Sequence, residues 1–260
     1  MLKKLLRVSL IPLLLMLLLI TIFKSIQNSN KTYDSEFLTS LSKGLDKRWK
    51  DNDKYPEESA KNYKLWVNDE LDEVKDYGDK KFENDKLKEL AIRYINVLKE
   101  GKEIASNFGA GSFDRQWSEI QNKRFELVLD INSIVEIPVQ DKKTLDSILK
   151  SGKATKEFNR VYEILVDTFD PKNFVVEEVG TGSEKEKHYV GNFENTTGHY
   201  INYIDVTISL YDENDKRYYG YRLDPRLLWE NGTKKSFEFS IPDSDTRFKY
   251  FKVYLSYSLK

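Results

Sequence analysis

Apolar residues recur along this chain with three successive patterns, and the order of those patterns divides it. Residues 8–23, VSLIPLLLMLLLITIF, form one apolar run without a charge. From residue 34 to about 170 the apolar positions return every three or four residues, the spacing of one face of a helix. After Pro171 they return every second residue, the spacing of one face of a strand.

The helical region begins with Phe37/Leu38, Leu41, Leu45 and Trp49, a stripe that residues 51–54 break. Pro56 suits the first turn of a second helix, with Glu57 and Glu58 near its N-terminus. Ala60, Tyr63, Val67, Leu71, Val74 and Tyr77 form its stripe and Gly78 stops it. The spacing predicts a third helix over 81–108 through Leu87, Leu90, Tyr94, Leu98, Ile104 and Ala105, with Gly101 inside it at a cost of about 1 kcal/mol. Gly109-Ala110-Gly111 is a break. Ser112 or Asp114 can cap a fourth helix with the stripe Trp117, Ile120, Leu127, Val128, Ile131 and Ile134. Pro138 interrupts, and Asp141 or Thr144 starts a short helix through Leu145 and Ile148 that Gly152 ends. A last helix carries Phe158, Val161, Tyr162, Leu165 and Phe169 up to Asp170-Pro171. Five or six amphipathic helices with short connections predict an antiparallel bundle, and each stripe reads as a core face.

Residues 174–179 read as a first strand or a linker strand, and Gly180-Thr181-Gly182-Ser183 with EKEK after it as a loop. Ile204, Val206, Ile208 and Leu210 then alternate with Asp205, Thr207, Ser209 and Tyr211. DENDK (212–216) is a hairpin turn into a strand over 217–223, Asn231-Gly232 marks another turn before Phe237, Phe239 and Ile241, and Phe251, Val253, Leu255 and Tyr257 alternate again. Short strands separated by turns predict an antiparallel β-sandwich.

The initial run changes where all of this is placed. As a helix, 16 residues span roughly 24 Å, short of a hydrocarbon core of about 30 Å, a gap that snorkelling of Arg7 and Lys24 and local thinning can close. Lys3, Lys4 and Arg7 precede it, and the first acid is Asp34, so the positive-inside rule puts the N-terminus in the cytoplasm and the rest outside. IFKSIQNSNKTY offers no small-residue cleavage site, which favours an uncleaved signal anchor over a cleaved leader or a buried core helix. The chain has no cysteine, so neither a lipidated cysteine nor a disulfide contributes. The net charge of −1 divides into +3 over residues 1–23, −4 over 24–180 and zero over 181–260. No segment has the basic excess that phosphate neutralisation requires, which argues against nucleic acid as a partner.

The segment VGNFENTTGHYINYIDVTISLYDENDK, with Gly191, Asn195-Thr196, Val206, Ile208 and then Leu210-Tyr211-Asp212, resembles the FxLYD domain, a small immunoglobulin-like β-sandwich of bacterial envelope proteins. Ile208 stands where the family has Phe, and no glycine closes the turn after Asp212. The resemblance covers about the last third of the chain. The helical part, notably LKELAIRYINVLKEGKEIA, is similar to regions that precede this domain in anchored proteins of low-GC Gram-positive bacteria. The resemblance implies an extracytoplasmic location and no reaction.

No set of residues points to chemistry. His188 and His199 lack cysteine partners and HExxH spacing, and read as surface histidines. Ser40-Leu41-Ser42-Lys43 and Ser147-Ile148-Leu149-Lys150 fit S-x-x-K without the accompanying S-D-N or K-T-G elements of penicillin-binding enzymes. Asp212 to Asp215 lacks the glycine and terminal glutamate of a calcium loop and reads as a hairpin tip. Gly180-Thr181-Gly182 opens no helix and is no phosphate cradle. Nine tyrosines, Tyr200, Tyr203, Tyr211, Tyr218, Tyr219, Tyr221, Tyr250, Tyr254 and Tyr257, crowd the C-terminal part; on outward faces they would form a protein- or glycan-binding patch, and otherwise they are ordinary strand composition.

The expectation is therefore an α+β chain in two parts: a signal anchor or transmembrane segment over 1–27, a tether over 28–33, a helical bundle over 34–170 and an FxLYD-like β-sandwich over 171–260. It is a single-pass extracytoplasmic binding or adaptor protein of the cell envelope, not an enzyme, with no catalytic, cofactor-binding or metal residue and no cofactor. Its partners are its own membrane and an envelope protein or glycan. The alternatives are an envelope hydrolase with an Asp/Glu pair, which needs two carboxylates roughly 5 to 10 Å apart in a cleft, and a structural spacer.

Overall fold

The computed structural model describes residues 31–223 and 228–260. The expected anchor and the first part of the tether lie outside the described residues. No helix among the described residues is long and apolar enough to cross a membrane. Among the described residues five α-helices come first and six strands, in two antiparallel sheets, follow.

Helix α1 (Asp34–Lys54) runs through the expected break at 51–54. Its start is fixed by Asp34, whose carboxylate accepts hydrogen bonds from the backbone N–H of Glu83 (2.8 Å) and Asn84 (3.0 Å). Helix α2 (Ala60–Val74) begins after Pro56, not around it, because the Ser59 hydroxyl caps it by accepting from the Asn62 N–H at 3.1 Å. Helix α3 (Asp85–Ser106) likewise starts later than 81, where Asn84 accepts from the Leu87 N–H. Helix α4 (Phe113–Ile134) follows the glycine break.

The expected stop at Gly152 does not occur: α5 (Lys142–Thr168) is one continuous helix. The glycine serves packing instead. A Cβ there would lie 2.5 Å from the Phe125 carbonyl oxygen and 3.1 Å from the Leu129 Cβ, so only a bare backbone allows α4 and α5 this close. Gly44 does the same between α1 and α2, where a Cβ would lie 2.9 Å from the Glu70 Cα.

The described residues pack as two compact units that divide between Thr155 and Lys156. The secondary structure changes character near Pro171, whereas the packing changes at Lys156, inside α5. In the first unit the stripes meet in a core that includes Phe37, Leu41, Leu45, Leu87, Tyr94, Leu98, Val128 and Ile131. A satellite cluster joins Tyr63, Trp66, Ala105 and Phe113.

In the second unit, strands β1 (Val175–Val179), β2 (Glu186–Glu194), β3 (Ile201–Tyr211), β4 (Arg217–Arg222), β5 (Lys234–Pro242) and β6 (Tyr250–Leu259) form sheets of order β1-β2-β5 and β4-β3-β6. Residues 174–179 are thus mostly a true strand, antiparallel to β2. The alternation predicted in β3 holds: Ile204, Val206, Ile208 and Leu210 are buried. They share one core with Phe237, Phe239 and Ile241 of β5 and with Val161, Leu165 and Phe169 from the end of α5. Phe158 and Tyr162 of that segment are instead exposed. The two expected turns form, with Asp215 at φ 58° and Gly232 at φ 77°.

Candidate functional site

The core of the helical unit is not wholly apolar. Arg48 (α1) sits one turn after Gly44, Glu70 (α2) lies where those two helices touch, and Arg124 (α4) comes from the opposite side. All three are buried; Glu70 has no exposed surface. Glu70 Oε1 accepts from Arg48 Nη1 at 2.9 Å and lies 2.7 Å from Arg124 Nη2. That second contact is an ion pair without hydrogen-bond alignment. Glu70 Oε2 accepts from Arg124 Nε at 2.9 Å and from the Tyr94 hydroxyl. Arg48 turns its Nη2 to a neutral acceptor, Gln121 Oε1, at 2.9 Å.

Burial pushes the Glu70 carboxyl up, but the guanidiniums of Arg124 and Arg48 more than offset it and hold it below the ordinary carboxylate range. Burial and the neighbouring carboxylate push the Tyr94 phenol far up, so it stays neutral. Both arginines are charged at any ordinary pH. The group thus carries two positive charges against one negative.

Above it opens a cavity of about 300 Å³ lined by Arg48, Trp49 and Asn52 of α1, Trp66 of α2, Trp117, Gln121, Arg124 and Phe125 of α4, and Thr144 and Ile148 of α5. The chain has 4 tryptophans and three stand here. The walls are braced from behind. The Tyr63 ring lies 5.0 Å from the Trp66 ring and 4.6 Å from the Trp117 ring, both edge-on, and Phe113 stacks on Trp117 at 6.0 Å. The Arg124 guanidinium lies 5.6 Å from the centre of the Phe125 ring. The Trp66 Nε1 proton is buried with no acceptor. No carboxylate is among the described residues that line the cavity, and Glu70 is bonded to the two arginines that do.

Indole faces, side-chain amides and fixed guanidiniums are groups for recognition. Among the described lining residues there is no Asp, Glu, His, Lys or Tyr, and the groups that titrate are the two arginines. A second concavity of about 280 Å³, between α3 and α4, carries two carboxylates, Glu100 and Glu126, with Arg93 and Lys123 beside them. Glu100 is exposed and ion-paired with Lys123 at 3.5 Å.

None of the histidines, the serines and lysines of the S-x-x-K sets or the acidic-turn residues weighed from sequence is among the described residues that line the first cavity. His188 Nδ1 lies 3.0 Å from Ser240 Oγ, and His199 Nε2 lies 2.5 Å from Glu157. Ser40 bonds the Tyr77 hydroxyl while Lys43 pairs with Glu73, so that S-x-x-K set is divided between different partners. Asp212 turns its carboxylate to the N–H groups of Asn214 and Lys216, fastening the hairpin. Among the described residues no group of three or more His, Asp or Glu is placed to hold a metal. Asn195 is a buried turn fastener, its amide donating to the carbonyls of His199 and Trp229. The tyrosines divide: Tyr257 is buried, Tyr219 and Tyr254 are exposed, and Tyr211 stacks flat on Tyr250 at 5.1 Å and meets the Tyr254 hydroxyl at 2.6 Å.

Sequence reasoning passed over Arg48, Glu70 and Arg124, yet a signal existed. Each sits inside an apolar stripe: Arg48 three residues after Leu45, Glu70 three after Val67, Arg124 four after Ile120. A charge at helical spacing within a core face marks a buried ion pair. No family model matches this chain, and neither a curated protein nor a solved structure similar to it was found.

Proposed function

We propose that this chain is a single-pass, membrane-anchored binding protein of the cell envelope, with its helical unit as the ligand-recognising part and no catalytic step. The observation that carries the binding role is the cavity in which Trp49, Trp66 and Trp117 stand over a buried Arg–Glu–Arg group. Burying three charges beside a cavity is costly unless it fixes a geometry, and the group holds two guanidiniums among the residues that line it. The anchor rests on the uncharged run over 8–23 and the basic residues before it. The C-terminal unit is read as an FxLYD-like, immunoglobulin-like sandwich. Two facing antiparallel sheets support that reading, as do the structural parts played by Leu210 in the core and Asp212 at the turn.

The test combines topology with binding. Intact cells are shaved with protease, and the membrane-bound species is blotted for the C-terminus and weighed. The full chain in detergent is then titrated with soluble envelope-polymer fragments while tryptophan emission is followed. A surface-accessible C-terminus, retention of residues 1–23, and an emission change that Trp117→Ala abolishes are the expected results. A protected C-terminus or an unchanged emission spectrum would overturn the corresponding half.

One observation favours a second reading, an envelope hydrolase: Glu100 and Glu126 share one concave surface. It predicts that wall polymer is cleaved and that Glu126→Gln stops the cleavage. Intact polymer after prolonged incubation removes it.

A further inference from the structure

We infer that the tryptophan-lined cavity selects a ligand bearing one carboxylate on a compact body with a flat face. The inference rests on the cavity being a binding site and adds the charge and shape of what fills it.

The charge follows from counting fixed groups. Arg48 and Arg124 are opposed by Glu70 alone; Tyr94 is neutral, and Gln121, the other partner of Arg48, is an uncharged amide. One positive charge is left over at the floor. Among the described lining residues no acidic side chain meets it. A ligand that fills the cavity must answer it. A single anionic group does so with charge-assisted hydrogen bonds, while a neutral ligand leaves a guanidinium stripped of solvent. Arg48 already gives one N–H from each terminal nitrogen to Glu70 and Gln121, so a ligand carboxylate is met by the remaining guanidinium N–H donors.

The shape follows from the walls. Three indoles and Phe125 line the cavity, and Tyr63 and Phe113 keep Trp66 and Trp117 in place, so a ligand with a flat face is the body that packs against rings. About 300 Å³ is at the small end of ligand sites, enough for one sugar ring or one benzene-sized ring with its carboxylate. Two sources share this chemistry, an acidic sugar residue of an envelope polymer and a free aromatic acid.

The test uses matched pairs on the full chain in detergent, read by tryptophan emission and by calorimetry. Methyl glucuronide against methyl glucoside probes the acidic sugar; benzoate against benzamide probes the free acid. The expected result is that in one pair the anion binds at least about tenfold more tightly than its neutral twin, and that pair identifies the source. Two substitutions at Gln121 carry the decision. Gln121→Glu supplies the missing negative charge next to Arg48, and the anion-to-neutral ratio should fall to about one. Gln121→Leu removes the amide but keeps the charge excess, and the ratio should persist. Equal binding of anion and neutral twin in both pairs, or a ratio that Gln121→Glu leaves intact, overturns the inference while the binding reading stands. Failure of all four probes to bind overturns the inference and removes the cavity as the basis of the binding reading.

Discussion

Replacing Glu70 by glutamine changes almost no volume and removes one charge, and it should be among the most damaging conservative substitutions in the helical unit. In the folded protein the carboxylate has no exposed surface and is contacted by Arg48 Nη1 at 2.9 Å, Arg124 Nη2 at 2.7 Å, Arg124 Nε at 2.9 Å and the Tyr94 hydroxyl. Glutamine keeps one acceptor oxygen but turns a donor NH2 toward a guanidinium, leaving two positive charges, 8% and 3% exposed, facing each other without a counter-charge. Removing one partner from a buried ion pair costs about 3–5 kcal/mol. For a unit of this size each kcal/mol moves the midpoint by roughly 4 °C, so thermal unfolding followed by far-ultraviolet circular dichroism should show a fall of about 10–20 °C in the helical transition. The companion variant removes the whole group: Arg48→Met, Glu70→Leu, Tyr94→Phe and Arg124→Met together. Because no charge is then left stranded, stability should return to the starting value or exceed it by about 1–4 kcal/mol, while ligand binding is lost. A cost below about 1 kcal/mol for Glu70→Gln would falsify the premise that these charges are desolvated and dependent on one another. A quadruple variant as unstable as the single one would show that the group contributes more than an apolar core could.

The remaining predictions are shorter. Gly101→Ala should stabilise α3 by about 0.5–1 kcal/mol, since a Cβ there meets Val67 and Ile120 at ordinary distances of 3.7 and 3.8 Å, whereas Gly152→Ala should cost about 1–3 kcal/mol; urea unfolding of the two variants should move in opposite directions. Ser59→Ala removes the α2 cap and should cost about 1 kcal/mol in the same assay. In the second unit, Arg160 and then His199 hold the Glu157 carboxyl down at about 2, so the stability it contributes is complete above the ordinary glutamate value of about 4.3 and is lost as pH falls toward 2; a pH series of melts should show that loss, and Glu157→Gln should flatten it. Burial and a hydrogen bond to Asp245 push the Tyr218 phenol up to about 12, so its contribution holds below the ordinary tyrosine value of about 10 and is lost as pH rises through 12, a step that Tyr218→Phe should remove from an ultraviolet titration.

Periodicity made the elements legible, and local chemistry made their ends less so. The stripes Leu41/Leu45, Leu87/Leu90/Leu98 and Leu127/Val128/Ile131 are core because a helix that buries one face must carry apolar residues every three or four positions. The strand alternation in 204–210 was legible for the same reason at period two. Gly152 misled because a glycine in a helical sequence is read as a stop when only the chain itself is considered. Here it answers a constraint from another helix, the carbonyl of Phe125, which no local rule contains. Pro56 misled similarly: it suits a helix start, but Ser59 supplies the capping oxygen and the helix begins there.

The site was illegible for a different reason. Its residues are far apart in sequence, Glu70 lying 54 positions from Arg124 in the chain, and no spacing motif links them. What brings them together is helix packing, including the close approach at Gly44 that sets Arg48 against Glu70. Arginine, glutamate and tryptophan each appear ordinary in a chain that is 33% charged and 13% aromatic. Only when the helices assemble does a single carboxylate stand between two guanidiniums with a neutral amide where a second acid would balance them. That imbalance is the feature on which the proposed anion selectivity rests. A buried ionic group adds little stability that well-packed apolar residues of the same volume would not supply, so the proposed selectivity turns on whether an anion in the aromatic-lined cavity meets the excess guanidinium charge with charge-assisted hydrogen bonds.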